Sequence, residues 1–385
     1  MKQSVLSMSL AAILSLSLAA CGNKEETAAG PEVIKIGQVS PLTGPQAHIG
    51  KDNDNAARLA IDEINAGNPV LGGKPVKFEL VSEDDAADPK TATTVAQRLA
   101  DMKVAGVIGH LNSGTTIPAS KIYMDNGIPQ ISPSATAVKY TAQGFKTAYR
   151  VMTNDEQQGK VLGSYAVTKL GAKKIAIIDD RTAYGQGLAD EVEKAAKAAG
   201  GEVVAREYTT DKSTDFMAIL TSIKARNPDL VFFGGMDPQG GPMAKQMKQL
   251  GMTAKLLGGD GMQTPQFLKL AGADAEGALA TIPGMPIEQM PKGPDFKTRF
   301  NARYGEIQLY APYAYDAVYV MVEAMKRADS ADPAKYLPEI AKTDYQGVTS
   351  HIKFDAKGDL TGGAVTVYQV RNGAWTTVET IQSGN

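Results

Sequence analysis

The sequence predicts an α/β protein made of two doubly wound parallel-sheet lobes. Three observations carry that reading. Short, continuously apolar runs alternate with helical-period segments from Val33 to Leu257. Such strands, separated by helices of roughly 10–15 residues, belong to parallel sheets covered on both faces. The rhythm restarts after Arg150, dividing this part of the chain into two arrays, 33–154 and 155–283. The chain beyond Pro283 is too long to be a cap for the second array. It is expected to return to the first lobe over 284–363 and to the second over 364–385.

Each element has its own signal. Val33 to Val39 is a β-branched run ending in a Pro/Gly loop, and Ala57, Ile61 and Ile64 share one side of a helix predicted over Gly50–Asn65. Val76 to Leu80 alternates as a strand. Asp88-Pro89 then starts a helix, because Asp accepts free amide hydrogens and Pro tolerates the first helical position. Strand, helix and strand are predicted at Val104–Ile108, Thr115–Asp125 and Ile128–Ile131. In the second array, helices are predicted over Glu156–Lys169, Gly187–Ala199, Phe216–Ala225 and Pro242–Leu250. The strands between them are Lys174–Asp179, Val203–Tyr208, Leu230–Phe233 and Lys255–Leu257. The remainder gives helices at Asp295–Tyr304, Pro312–Arg327 and Pro333–Lys342, then strands at Ala364–Val370 and Trp375–Ile381.

The first residues stand apart. Lys2 precedes an apolar, Ser-broken run from Val5 to Ala20 that ends Leu18-Ala19-Ala20-Cys21, the pattern of a signal peptide over 1–20. The run falls short of the roughly 20 residues a spanning helix needs. Leu-Ala-Ala-Cys resembles the lipobox of bacterial lipoproteins, which implies cleavage before Cys21 and acylation of its thiol. Residues 21–32 are small and polar and read as a flexible tether. The expected product is exported and attached to a membrane only through that lipid.

Charge and composition remove several classes. With 40 basic against 42 acidic side chains and a net charge of −2, no basic surface for nucleic acid is expected. A single Cys permits neither an internal disulfide nor a Cys-based zinc site. Gly44 to Lys51 misses the phosphate-loop spacing and has Asp52 where Ser or Thr is needed. Gly185-Gln186-Gly187 lacks the third glycine of a dinucleotide fingerprint, and no Gly-x-Ser-x-Gly elbow exists. The three histidines, His48, His110 and His351, are scattered, and the Glu83-Asp84-Asp85/Asp88 cluster lacks the glycine and closing Glu of a calcium loop. No catalytic centre, metal or cofactor is expected.

What remains is a set of loops at the carboxyl ends of strands, where open α/β sheets bind ligands. Gly109 to Thr116 puts hydroxyls and amides at a helix N-terminus, a setting suited to a carboxylate. Ser132-Pro133-Ser134-Ala135-Thr136 is a second hydroxyl-rich loop; the bland alternative for Ser113 and Thr136 is plain helix capping. In the second array, Tyr184 follows Asp179-Asp180, and Asp260 follows Leu257-Gly258-Gly259. Hydroxyl loops facing an aromatic wall and one carboxylate suit a zwitterion.

At these residues a family resemblance becomes specific. Asp84-Asp85-Ala86-Ala87-Asp88-Pro89-Lys90, Gly109-His110-Leu111, Pro118-Ala119-Ser120 and Tyr184-Gly185-Gln186-Gly187-Leu188-Ala189 resemble the leucine/isoleucine/valine-binding proteins, the extracytoplasmic receptors of branched-chain amino acid ABC transporters. The resemblance implies a type I periplasmic-binding-protein fold with three crossovers, closing by hinge motion on one amino acid and then engaging ABC transporter permease subunits. It assigns Ser113 to the ligand carboxylate, and Ser134 and Thr136 to the carboxylate and ammonium. Tyr184 becomes an aromatic that closes on the ligand, and Asp260 the partner of the ammonium, where well-known members have Glu. Ile49 and Met236 stand in place of aromatics, Tyr310 in place of Phe, and Ala87 and Asn112 in place of a disulfide. A monomer is expected. A ligand-sensing receptor of the same fold, for another amino acid or an amide and feeding signalling, is the competing reading.

Overall fold

The computed structural model describes residues 30–382; the predicted signal peptide, Cys21 and most of the tether lie outside the described residues. The chain opens with β1 (Glu32–Ser40), α1 (Ala47–Ala66), β2 (Val70–Leu71), β3 (Lys74–Asp84), α2 (Pro89–Asp101) and β4 (Gly106–Gly109). It continues with α3 (Ser113–Asp125), β5 (Gln130–Ser132), α4 (Lys139–Ala142) and β6 (Ala148–Arg150). The next stretch is α5 (Asp155–Thr168), β7 (Lys174–Asp179), α6 (Ala183–Ala198), β8 (Glu202–Tyr208), α7 (Met217–Lys224) and β9 (Leu230–Gly234). Then come α8 (Asp237–Gln249), β10 (Lys255–Gly258), α9 (Pro265–Ala271) and β11 (Leu279–Pro283). Helices α10 (Gly293–Tyr304), α11 (Ala311–Ala328) and α12 (Pro333–Ala341) precede a small hairpin, β12 (Tyr345–Gln346) and β13 (His351–Ile352). Strands β14 (Ala364–Arg371) and β15 (Ala374–Gln382) end it.

One sheet has the order β2-β3-β1-β4-β5-β6, the other β15-β14-β11-β10-β9-β7-β8. Both are parallel at their centres: β1 lies between β3 and β4, and β7 between β8 and β9. The last two strands add an antiparallel edge to the second sheet. The chain crosses between lobes three times. It enters α5, which packs on α6; it returns after β11 so that α11 packs on α1; and it leaves again to form β14. Each sheet has a point where successive connections diverge, between β1 and β4 and between β7 and β9. Open α/β sheets hold ligands there, outside the carboxyl ends of the strands.

Local chemistry explains the boundaries. Asp88 caps α2 through the Thr91 amide at 2.8 Å, as its position before Pro89 predicts. The neighbouring acids have other structural uses. Asp84 accepts from the Leu42 amide at 2.8 Å, and buried Asp85 meets His110 Nδ1 at 2.8 Å. Helix α8 starts at Asp237, five residues before the predicted Pro242, because Pro238 already occupies its first turn. Strands β6 and β11 and helix α9 escape the periodicity reading. Ala148-Tyr149-Arg150 is too short for a pattern, and β11, Leu279-Ala280-Thr281-Ile282-Pro283, is short and ends in Pro, a residue strands seldom contain.

The core that matters most for the site is α11, which buries Ala314, Val318, Met321 and Met325. Fully burying an apolar side chain such as Val or Met contributes about 1.5–3 kcal/mol. The N-terminus of α11 is held by Asp52 of α1, whose buried carboxylate accepts from the amides of Gln308 (2.9 Å), Leu309 (3.0 Å) and Ala311 (2.9 Å). Burial pushes the Asp52 carboxyl up to about 6, against the pull of those amides. Tyr310 sits inside this clamp.

Candidate functional site

Segments that follow five strands, β4, β5, β7, β9 and β10, converge between the lobes. On the first lobe, Gly109 ends β4 at φ +130°, and a Cβ there would collide with the Val39 carbonyl. The chain then enters α3, whose Ncap is Asn112 without a side-chain capping bond. Ser113, already inside α3, and Thr136, two residues before the Val138 Ncap of α4, are therefore not simple caps. The Ser113 hydroxyl accepts from the Ala137 amide at 3.1 Å, and Ser134 donates to the Leu111 carbonyl at 3.0 Å. These bonds tie the two hydroxyl loops together. Behind them, buried His110 bridges Asp85 and the Tyr123 hydroxyl (3.0 Å), anchoring the loop that precedes α3.

On the second lobe, the Tyr184 hydroxyl donates to Asp260 Oδ1 at 2.9 Å and accepts from the Gly261 amide at 3.2 Å. Gly259 permits this, since a Cβ at that position would collide with the Tyr184 hydroxyl. Gln158 of α5 adds a donor to Asp260 Oδ1 at 3.0 Å and another to Thr281 Oγ1 at 3.0 Å. From across the cleft Tyr310 donates to Asp260 Oδ2 at 2.5 Å. Burial raises the Asp260 carboxyl, while its bonds from Tyr310, Gln158 and Tyr184 pull the other way. Burial, with Asp260's charge added, pushes both phenols well above their ordinary range, so Tyr184 and Tyr310 are neutral donors. A second contact spans the lobes at the rim, where His48 Nε2 of α1 meets buried Asp237 Oδ2 of α8 at 2.7 Å.

Leu111, Asn112, Ser113, Ser134, Tyr184, Met236, Asp260 and Tyr310 enclose a cavity of about 10 Å³. Six of the eight predicted ligand residues are on that wall. Ile49 and Thr136, both fully buried, lie outside it: Ile49 in the first turn of α1 and Thr136 beside the α5 crossover. Ligand clefts usually measure about 300–1,000 Å³, so the walls here stand closed on one another. Chemically the walls offer a helix N-terminus and hydroxyls on one lobe, a carboxylate on the other, and Leu111 and Met236 as apolar surface. Sequence reasoning missed Gln158, which is 102 residues from Asp260. It also missed Leu111 and Asn112 as wall residues, although both lie within the loop it selected.

Comparison with known proteins agrees with this geometry. The family model described as periplasmic binding protein matches residues 33–374. The leucine-, isoleucine-, valine-, threonine- and alanine-binding protein of Pseudomonas aeruginosa is 35% identical over 339 residues, covering 88% of this chain and 90% of that one. A leucine binding protein from Thermotoga maritima superposes with a TM-score of 0.84 at 29% identity, over 90% of this chain and 98% of its own. A branched-chain amino acid transporter substrate binding protein from Streptococcus pneumoniae, solved with isoleucine, gives 0.83 at 29% identity, over 91% and 100%. The helix-start hydroxyl loops, the Asp260 carboxylate facing them and the triple crossover thus sit in a chain matched along nearly its whole described length, and that chain belongs to the periplasmic binding protein family.

Proposed function

We propose that this protein is an extracytoplasmic solute-binding receptor that captures a branched-chain or other apolar amino acid by hinge closure and delivers it to an ABC importer. The observation that carries the reading is the opposition of Asp260 on one lobe to the α3 N-terminus and its hydroxyls on the other. In this reading Ser113, Ser134 and Thr136 hold the ligand carboxylate, with Ser134 and Thr136 also contacting the ammonium. Asp260 pairs with the ammonium, Tyr184 closes over it, and Ile49, Met236 and Tyr310 shape the side-chain pocket. One lobe is 33–154 with 284–363, the other 155–283 with 364–385, a division supported by the membership of the two sheets. The names of the relatives support the ligand class. The chain is read as a monomer with no enzymatic role, and permease subunits are its partners.

Calorimetric titration with the twenty amino acids tests the ligand class. Leucine, isoleucine and valine are all expected to bind, since one methylene in an apolar pocket discriminates by only about 1–3 kcal/mol. Charged side chains are expected to fail, because burying an unpaired charge is costly. Met236→Ala and Ile49→Ala are expected to reorder the preferences among the three. Binding of none of the twenty would defeat the proposal.

We also propose export and lipid attachment at Cys21, on the strength of the Leu18-Ala19-Ala20-Cys21 pattern. Among the described residues no helix is long and apolar enough to cross a membrane. Cys21→Ala is expected to move the protein from the membrane fraction to the soluble extracytoplasmic one. Unchanged fractionation, with no acyl mass on the wild-type protein, would count against it.

A further inference from the structure

Two side chains at the cleft rim join the lobes without taking part in the cavity wall. His48, in the first turn of α1, and Asp237, the first residue of α8, meet through Nε2 and Oδ2 at 2.7 Å, and neither lines the cavity. Facing a carboxylate, Nε2 carries the hydrogen and donates it. Each partner is braced within its own lobe. Asp237 Oδ2 also accepts from the Thr264 hydroxyl at 2.5 Å. Thr264 in turn caps α9 through the Phe267 amide at 3.0 Å, and its carbonyl accepts from Trp375 Nε1 at 3.0 Å. On the other side, the first turn of α1 is tied to β1 by the Ser40 hydroxyl, which donates to the Gly50 carbonyl at 2.9 Å. Gln46, just before that turn, accepts from Asn112 Nδ2 at 2.7 Å. Neither lobe needs the other's residue to keep its own in place.

We propose that His48 and Asp237 are positioning residues, a clasp that stabilises the closed lobes and so raises the affinity for every amino-acid ligand by one common factor. This inference rests on the amino-acid and hinge-closure reading above. The bond joins residues of different lobes, so it exists only while the lobes are together. An interaction present in the closed state alone shifts the equilibrium toward that state, and the ligand that binds there gains the difference. Because the clasp touches no part of the ligand, the gain is the same for leucine, isoleucine and valine. The Tyr310–Asp260 bond also crosses the cleft, but both of its members are on the cavity wall. The clasp forms after the ligand has entered, so it acts on the rate of escape and leaves the rate of entry unchanged. The His48 side chain is 20% exposed, so water replaces its partner when the lobes part, and the gain is moderate.

His48→Ala is expected to weaken all three ligands by the same factor, about tenfold, the scale of one hydrogen bond to a charged group. Calorimetric titration measures the affinities, and an isotope chase of bound labelled leucine measures escape, which is expected to quicken by that same factor. The ligand-free melting temperature is expected to stay at the wild-type value. His48→Gln keeps an N–H donor and is expected to recover part of the affinity. Asp237→Asn keeps the shape and an acceptor for Thr264. Combined with His48→Ala, it is expected to add little further loss, because the shared bond is already gone. Leucine affinity of His48→Ala within twofold of wild type overturns the clasp. Unequal factors among the three ligands do so too, as do losses that multiply in the double variant, or a slower entry with unchanged escape. If the wild type binds these amino acids and the signatures are absent, only the clasp falls. If the wild type binds no amino acid, the functional reading falls with it.

Discussion

Asp260→Ala is expected to weaken leucine, isoleucine and valine together, by roughly a hundredfold. Truncating one partner of a buried charged pair costs about 2–5 kcal/mol, much of it from leaving the other charge unpaired. The ammonium is the part of the ligand common to all three, so their ranking is expected to survive. The same substitution strips an acceptor from Tyr184, Gln158 and Tyr310. Of these, Tyr310 is the one that reaches across from the first lobe. Asp260→Asn keeps the shape without the charge and is expected to lose nearly as much affinity. Parallel calorimetric titrations check this, and equal affinities for wild type and both variants would remove Asp260 from the site.

A second large effect is expected on stability, from Arg150→Ala. The guanidinium is completely buried at the end of β6. It donates to Asp359 Oδ1 at 2.6 Å, to Thr141 Oγ1 at 2.8 Å and to the carbonyls of Ala135 (2.7 Å) and Ala137 (3.0 Å). Breaking a buried pair by removing one partner destabilises by about 3–5 kcal/mol. Asp359 is 14% exposed, so its own loss is partly screened by solvent and the lower part of that range applies. Arg150→Lys retains the charge but not the fork of donors, and is expected to recover only part of the stability. Urea denaturation monitored by circular dichroism measures both variants. Because Arg150 holds the loop carrying Ser134 and Thr136, weaker leucine binding is expected to accompany the loss.

The sequence carried most of the fold because its strands are apolar throughout and its helices are periodic. Strand Lys174–Asp179 lies where the pattern puts it, and α11 begins one residue before its prediction. What escaped was short or weakly patterned, as in β6 and β11. Strand-end loops exposed the general place of the site, since hydroxyls after β4 and β5 must fall side by side once those strands pair. The connections inside the site were not legible. Gln158 reaches Asp260 only through the packing of α5 beneath the second sheet, and Asp52 caps a helix that begins more than 250 residues later. Arg150 gives no local signal, because its partners lie in a nearby loop and in a segment 209 residues away.

Closure of the two lobes on the two ends of one zwitterion is tested most directly by small-angle X-ray scattering of the mature chain, with and without saturating leucine. A ligand gripped from both sides favours the closed arrangement. The radius of gyration of the wild type is therefore predicted to fall when leucine binds, while Asp260→Ala at the same leucine concentration stays at the ligand-free value. Superimposable wild-type profiles at a concentration where calorimetry shows the site filled would contradict closure.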